Sequence, residues 1–250
     1  MGVECSCGPC GRAAALAAVM VLAGLPTPSR GGEAYLLFGA GGSGKGMFAY
    51  AGTIWTPLGS LVGSGPVVAV WADGCMFDYR TDIGANSGIR VEATSAGITA
   101  EAGWQIAGQS WRIAALGGLR YRRHRLSPDD PGADMDDRPL GAVITLAGEV
   151  TDRTSRWGVS GNARYTFGYE EYWLQGRPFH RAAGGWRAGP EVVAQGGPGY
   201  DFLRGGVFVS DIAVVLPYLG KVYLAAEAGI QADDQWEPGP YAGLHLSFFY

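Results

Sequence analysis

From Trp111 to Tyr121 the odd positions read Trp, Ile, Ala, Gly, Leu, Tyr, while the even positions carry Arg112, Arg120 and, one step beyond, Arg122. One face is apolar with an aromatic at each end, and the other is cationic. A strand turns successive side chains to opposite faces, so this segment predicts a strand with one greasy side and one polar side. Ten residues tilted by roughly 40° rise about 25 Å, the height of the apolar band and its two aromatic girdles in a transmembrane β-barrel.

The pattern repeats along the chain. Trp157, Val159, Gly161, Ala163, Tyr165 and Phe167 oppose Ser160, Asn162, Arg164 and Thr166. Leu140, Ala142, Ile144, Leu146 and Val150 oppose Thr145, Glu149 and Thr151, and Trp186, Ala188, Val192 and Ala194 oppose Arg187, Glu191 and Gln195. Val222, Leu224, Ala226, Ala228 and Ile230 oppose Lys221, Tyr223, Glu227 and Gln231. The last residues alternate too: Ala242, Leu244, Leu246, Phe248 and Tyr250 on one face, Gly243, His245, Ser247 and Phe249 on the other. A soluble sandwich also alternates, but its strands are usually five or six residues long, shorter than these.

Composition supports an all-β chain. With 42 glycines, 12 tyrosines, 8 tryptophans and 17% charged residues, a helical protein is disfavoured, because glycine weakens helices and aromatics favour strands. A net charge of −4 leaves no electrostatic footprint for nucleic acid. No linker-like composition divides the chain, so one domain is expected.

Arg12 precedes the apolar run Ala13 to Leu25, followed by Pro26, Pro28 and the small-x-small tripeptide Gly32-Glu33-Ala34. The run is too short to span a bilayer as a helix and reads as a signal peptide over residues 1–34, with the barrel over 35–250. Cys5, Cys7 and Cys10 fall inside that leader, leaving Cys75 as the one cysteine of the mature chain, with no internal disulfide and no thiolate zinc site.

Turn clusters divide the remainder into about twelve strands beginning near 35, 46, 65, 88, 111, 139, 156, 171, 185, 200, 219 and 239. The expected fold is a single antiparallel up-and-down transmembrane β-barrel, its last strand closing against Tyr35 to Gly42. An even count returns both ends of the barrel to one side. Short connections are expected after even strands, and longer polar ones at Arg80 to Ser87, Ser127 to Arg138 and Asp233 to Pro238. The segment Met47 to Thr56 does not resolve into two clean faces.

Three constellations could carry chemistry. Gly39-Ala40-Gly41-Gly42-Ser43-Gly44-Lys45-Gly46 nearly spells a phosphate-binding loop, but Gly46 replaces the hydroxyl that would hold magnesium and no helix pattern follows, so a hairpin is expected and no nucleotide. His245 and Ser247 share one face and resemble the His-x-Ser of outer-membrane lipid hydrolases, although the parity turns both inward, away from lipid. The three histidines show no metal-ligand spacing, and no cofactor is expected. The third constellation is the interior: Arg112, Arg120, Arg122, Arg164, Arg187, Lys221 and His245 with Glu101, Glu149, Glu191 and Glu227. Charges on the lipid face near the midplane would cost about 2–4 kcal/mol each, which explains their inward parity. They can pair into a plug or line a polar passage.

Leu126-Ser127-Pro128-Asp129-Asp130-Pro131-Gly132, then Gly189-Pro190-Glu191-Val192, then Tyr200-Asp201 with Arg204, Gly206 and Phe208 give the chain its resemblance to the BcsS family of alphaproteobacterial cellulose-biosynthesis proteins. The resemblance covers most of the mature chain. It implies a non-catalytic outer-membrane component of a cellulose-producing system, acting in export, anchoring or surface organisation of the polymer. Partners would be outer-membrane lipid, the barrel-assembly machinery reading the C-terminal strand Leu244, Leu246, Phe248 and Tyr250, and cellulose chains or other subunits of the synthesis machinery. Asp129, Asp130 and Trp236 are candidate glycan contacts. A general porin or surface-loop adhesin is the alternative reading, and a lipid hydrolase using His245 and Ser247 a further one.

Overall fold

The computed structural model describes residues 32–44, 46–83, 86–130, 139–197, 200–218, 220–233 and 238–249. These form twelve strands: β1 (Glu33–Ser43), β2 (Gly46–Thr56), β3 (Gly65–Ile83), β4 (Asn86–Ala107), β5 (Trp111–Ser127), β6 (Leu140–Thr151), β7 (Trp157–Thr166), β8 (Glu171–Arg181), β9 (Arg187–Gly197), β10 (Tyr200–Leu216), β11 (Gly220–Asp233) and β12 (Gly239–Phe249). Each pairs antiparallel with its sequence neighbour, and β1 pairs with β12 from Tyr35↔Phe249 to Ser43↔Tyr241. The sheet is therefore a closed up-and-down barrel. Closure removes both edges, so the backbone groups of β12 find partners in β1 and none faces hydrocarbon unpaired.

The register fixes the two faces. Arg112↔Glu149 and Leu116↔Thr145 put the charged positions of β5 and β6 on one side, and Trp111↔Val150, Ala115↔Leu146 and Tyr121↔Leu140 put the apolar positions on the other. The apolar side is outside, where Leu244 is 69% exposed and Leu119, Leu146, Val159 and Val192 are each more than half exposed. Exposed apolar area of this extent on every strand from β4 to β12 is the surface of a protein whose solvent is lipid. Trp104, Trp111, Trp157 and Trp186 lie near the end that carries the chain termini, and Tyr121, Tyr165 and Phe167 near the other. No helix among the described residues is long and apolar enough to cross a membrane.

Three expectations are corrected. Residues 80–83 and 86–87, expected in a loop, continue β3 and β4 into a hairpin of 19- and 22-residue strands, because the alternation of Tyr79 and Thr81 against Val91 and Ile89 sustains pairing beyond the band. The connection after β2, expected to be short, runs through residues 57–64 and folds across the mouth at the termini end. There Leu61 is buried; its carbonyl accepts from Arg112 (2.7 Å) and Gln105 (3.0 Å), and its N–H donates to Glu33 (2.8 Å). β1 begins at Glu33, two residues ahead of the expected start. The leader expected over residues 1–34 lies, as far as residue 31, outside the described residues.

The turn from β6 to β7 illustrates the short connections. Asp152 accepts the hydroxyl of Thr154 and the N–H groups of Arg156 (2.8 Å) and Trp157 (3.2 Å), which holds its carboxyl below the usual carboxylate range. Ser155 takes a left-handed conformation (φ 54°) to close the turn.

Candidate functional site

The interior is built by inward positions of all twelve strands. Arg112, Arg120, Arg122, Glu149, Arg164, Arg187, Glu191, Glu227 and His245 all face it by register. Lys221 shares that parity but stands exposed at the rim, its Nζ 5.0 Å from the centre of the Tyr223 ring.

These groups are joined into networks. Around β3, β4 and β5, Arg120 grips Asp73 with both terminal nitrogens (2.8 Å each) and also donates to Thr99 (2.9 Å). Arg122 reaches from β5 to Glu171 of β8 and donates to Ser95. Glu101 of β4 binds Arg164 of β7 (2.9 Å) and accepts the Thr145 hydroxyl. The Arg164 guanidinium also lies 5.8 Å from the centre of the Trp71 ring, on β3.

The second network lies at β8 to β12. Arg177 bridges Glu191 and Glu227; Glu191 also accepts from Gln175 (2.9 Å) and Tyr241 (3.1 Å). Glu227 stands 3.1 Å from His245 Nε2, and the other ring nitrogen of His245 shares a hydrogen bond of 2.8 Å with the Tyr50 hydroxyl of β2. Arg204 of β10 crosses to the Phe48 ring of β2, 5.5 Å away, and donates to Gln231 (2.9 Å). A third cluster holds Arg187 between Glu149 (2.9 Å) and Asp211 (2.5 Å). Asp211 is there because a bulge between Val209 and Ile212, with Asp211 at φ 60°, turns two consecutive residues inward.

Contacts joining β4 with β7, β8 with β11, and β10 with β2 are chords across the barrel. Their effect shows in accessibility: Glu101 is 3% exposed and Glu191 1%. A buried carboxylate is tolerated only when paired and hydrogen-bonded, and each of these has both. An aqueous lumen would leave such side chains wet.

Several of these residues escape the periodicity argument. Asp73, Tyr50, Arg177 and Tyr241 lie on strands whose inward faces also carry Trp71, Phe48, Phe179 or glycine, so no polar stripe announces them. The signal available was the single charge at an inward position, which for Arg177 follows from the phase of Glu171, Gln175 and Arg181.

His245 and Ser247 do not form a nucleophile–base pair. Both ring nitrogens of His245 are engaged by Tyr50 and Glu227, and Ser247 instead receives the Tyr35 hydroxyl proton (2.7 Å). Ser247→Ala is expected to leave phospholipid and lipid A profiles of the host membrane unchanged; altered acyl chain composition would reverse that reading. Among the described residues no cluster of His, Cys, Asp or Glu could hold a metal ion.

The candidate glycan contacts separate. Asp129 is exposed, but Asp130 is buried (8% exposed) and accepts the Tyr79 hydroxyl (3.0 Å). That hydrogen bond ties the end of β5 to the long β3–β4 hairpin. Trp236 and Tyr250 lie outside the described residues. The glycine-rich Gly39 to Gly46 is the β1–β2 hairpin. The remaining tail residues, Leu244, Leu246 and Phe248, face outward on β12, with Phe248 stacked 6.1 Å from Phe38 of β1.

Among solved structures, the translocator domain of the autotransporter NalP from Neisseria meningitidis is similar at a TM-score of 0.51 and 11% identity, covering 94% of each chain. The KdgM porin is similar at a TM-score of 0.49 and 10% identity, over 86% of this chain and 98% of that one. At such identities the likeness to the translocator domain concerns the barrel fold alone. Among curated protein sequences none matches. The family model of the cellulose biosynthesis protein BcsS matches residues 36–249, all but the first few residues of the barrel. This chain therefore belongs to the BcsS family of cellulose biosynthesis proteins.

Proposed function

We propose that this chain is a non-catalytic outer-membrane barrel that anchors or organises cellulose at the cell surface, and that its lumen is not the route by which the polymer leaves. The observation that carries the reading is the cross-linked interior, in which Arg177, Arg164 and Arg204 tie strands three or four apart and Glu101 and Glu191 are buried. A glucan threaded through it would have to break these contacts and expose Glu101 and Glu191 together. In this reading the termini and the mouth covered by residues 57–64 face the periplasm. The long β3–β4 hairpin and the exposed Asp129 face outward, where polymer is met. Synthesis itself belongs to a separate inner-membrane machine, and no sugar nucleotide binds here.

Two measurements test this. In planar bilayers the purified chain is expected to give no sustained single-channel current; stable openings that also pass oligosaccharides would make it a porin or conduit. Deleting the chain is expected to leave glucan synthesis by isolated inner membranes intact while cellulose retained at the cell surface falls. Unchanged retention would remove the anchoring role.

A further inference from the structure

The outward face of β3, β4 and β5 changes character above the aromatic girdle. Below it stand Ile113, Leu119 and Tyr121; above it the same face of β5 carries Arg123 and Arg125, both exposed. With about 2.5 Å of height per tilted residue, they rise about 5 and about 10 Å beyond Tyr121, the depth of lipid headgroups. Farther along, Arg80 of β3 faces Arg90 of β4 in register on this same surface. Like charges directly opposite are unfavourable unless something neutralises them. Asp78 pairs with Arg90 (2.8 Å), and Glu92 adds a second carboxylate. Among the described residues no carboxylate is within ion-pair distance of Arg123 or Arg125. Four arginines against two carboxylates form a basic ladder on a chain whose net charge is −4.

We infer that this ladder binds the phosphorylated sugar headgroup of a glycolipid in the outer leaflet, Arg123 and Arg125 taking its phosphates and the apolar face below them its acyl chains. The position carries the choice of ligand. A guanidinium fork suits a phosphate oxygen pair, and only an amphiphile places phosphates immediately above a hydrocarbon band while its chains lie against Ile98, Leu119 and Tyr121. A soluble polyanion would meet Arg80 and Arg90 first and would gain nothing from the apolar wall. The inference rests on the outer-membrane reading given above, with the β3–β4 hairpin on the outer side.

The test uses the full chain folded in detergent micelles and native mass spectrometry, with bisphosphorylated lipid A, its dephosphorylated form and phosphatidylglycerol as probes. Wild type is expected to retain bisphosphorylated lipid A over both others. Arg123→Glu with Arg125→Glu is expected to lower that retention about tenfold or more, each basic residue near an anionic headgroup contributing on the order of tenfold or somewhat less. The milder Arg123→Gln with Arg125→Gln serves if charge reversal prevents folding, which heat-modifiable gel mobility reports. Arg153→Glu with Arg156→Glu, in a turn at the opposite end, is expected to change nothing. Equal retention of all three lipids, or retention indifferent to both Arg123/Arg125 variants, would overturn the inference. Cellulose retention, measured separately in cells, reports on the anchoring role, so the two readings fail independently.

Discussion

Replacing Arg177 by methionine is expected to destabilise the barrel by about 3–5 kcal/mol, the typical cost of removing one member of a buried ion pair. The expectation is at the upper part of that range because Arg177 serves two carboxylates at once, Glu191 and Glu227, and its guanidinium also packs 4.9 Å from the centre of the Phe208 ring. Without it two buried carboxylates face each other. Gln175, Tyr241 and His245 give partial compensation but bring no permanent positive charge. Urea unfolding in lipid vesicles, followed by tryptophan fluorescence, measures the change. Adding Glu191→Gln and Glu227→Gln to Arg177→Met should recover most of the loss, since neutral amides of similar shape remove the unpaired charge. A loss below about 1 kcal/mol in the single variant would mean that water reaches this network, and the closed-lumen reading would fall with it.

Gly118→Val is expected to prevent assembly of the β4–β5 pair. A Cβ at Gly118 would lie 2.0 Å from the carbonyl oxygen of Ala100 and 2.7 Å from the Cα of Glu101, and a Cβ at Gly103 would meet the Ala115 carbonyl oxygen at the same 2.0 Å. The obstructing atoms are backbone, so no rotamer change relieves the clash and the two strands must separate. Overpacking ordinarily costs about 1–3 kcal/mol; here the ladder that carries Glu101 opposite Gly118 and Thr99 opposite Arg120 would itself be displaced. The neighbouring Gly117 gives the contrast. It faces outward with only the Val143 carbonyl oxygen at 3.9 Å, and Gly117→Ala is expected to change stability by less than about 1 kcal/mol. The ratio of heat-modifiable to unfolded protein after refolding reports both. Equal folding of the two variants would refute the close-approach argument.

The strand plan was legible to within about two residues at most boundaries, because lipid outside and charge inside impose a strict period of two. It failed where that contrast is absent. β2 carries Phe48, Tyr50 and Ile54 inward against Met47, Ala49 and Trp55 outward, so both faces are apolar and only its register with β1 and β3 decides. The β3–β4 extension reads as a loop from the polar run Arg80 to Ser87; paired as a hairpin, Asp78, Arg80 and Arg90 form its outward face above the band. Asp130 was legible as acidic and turn-forming, but the phenol that holds it comes from a strand 51 positions away.

By itself the sequence determined an all-β barrel of twelve strands, the sidedness of nearly every one, and the inward parity of the charges at the height of the apolar band. Those properties follow from local periodicity, which depends only on neighbours along one strand. The tertiary structure alone decided which charge meets which. Arg177 finds Glu227 50 residues on, and Arg164 finds Glu101 63 residues back, because closing the sheet brings strands three apart within a side chain's reach. Whether a charged interior is a passage or a plug is a property of those chords, and no pattern along a single strand contains them.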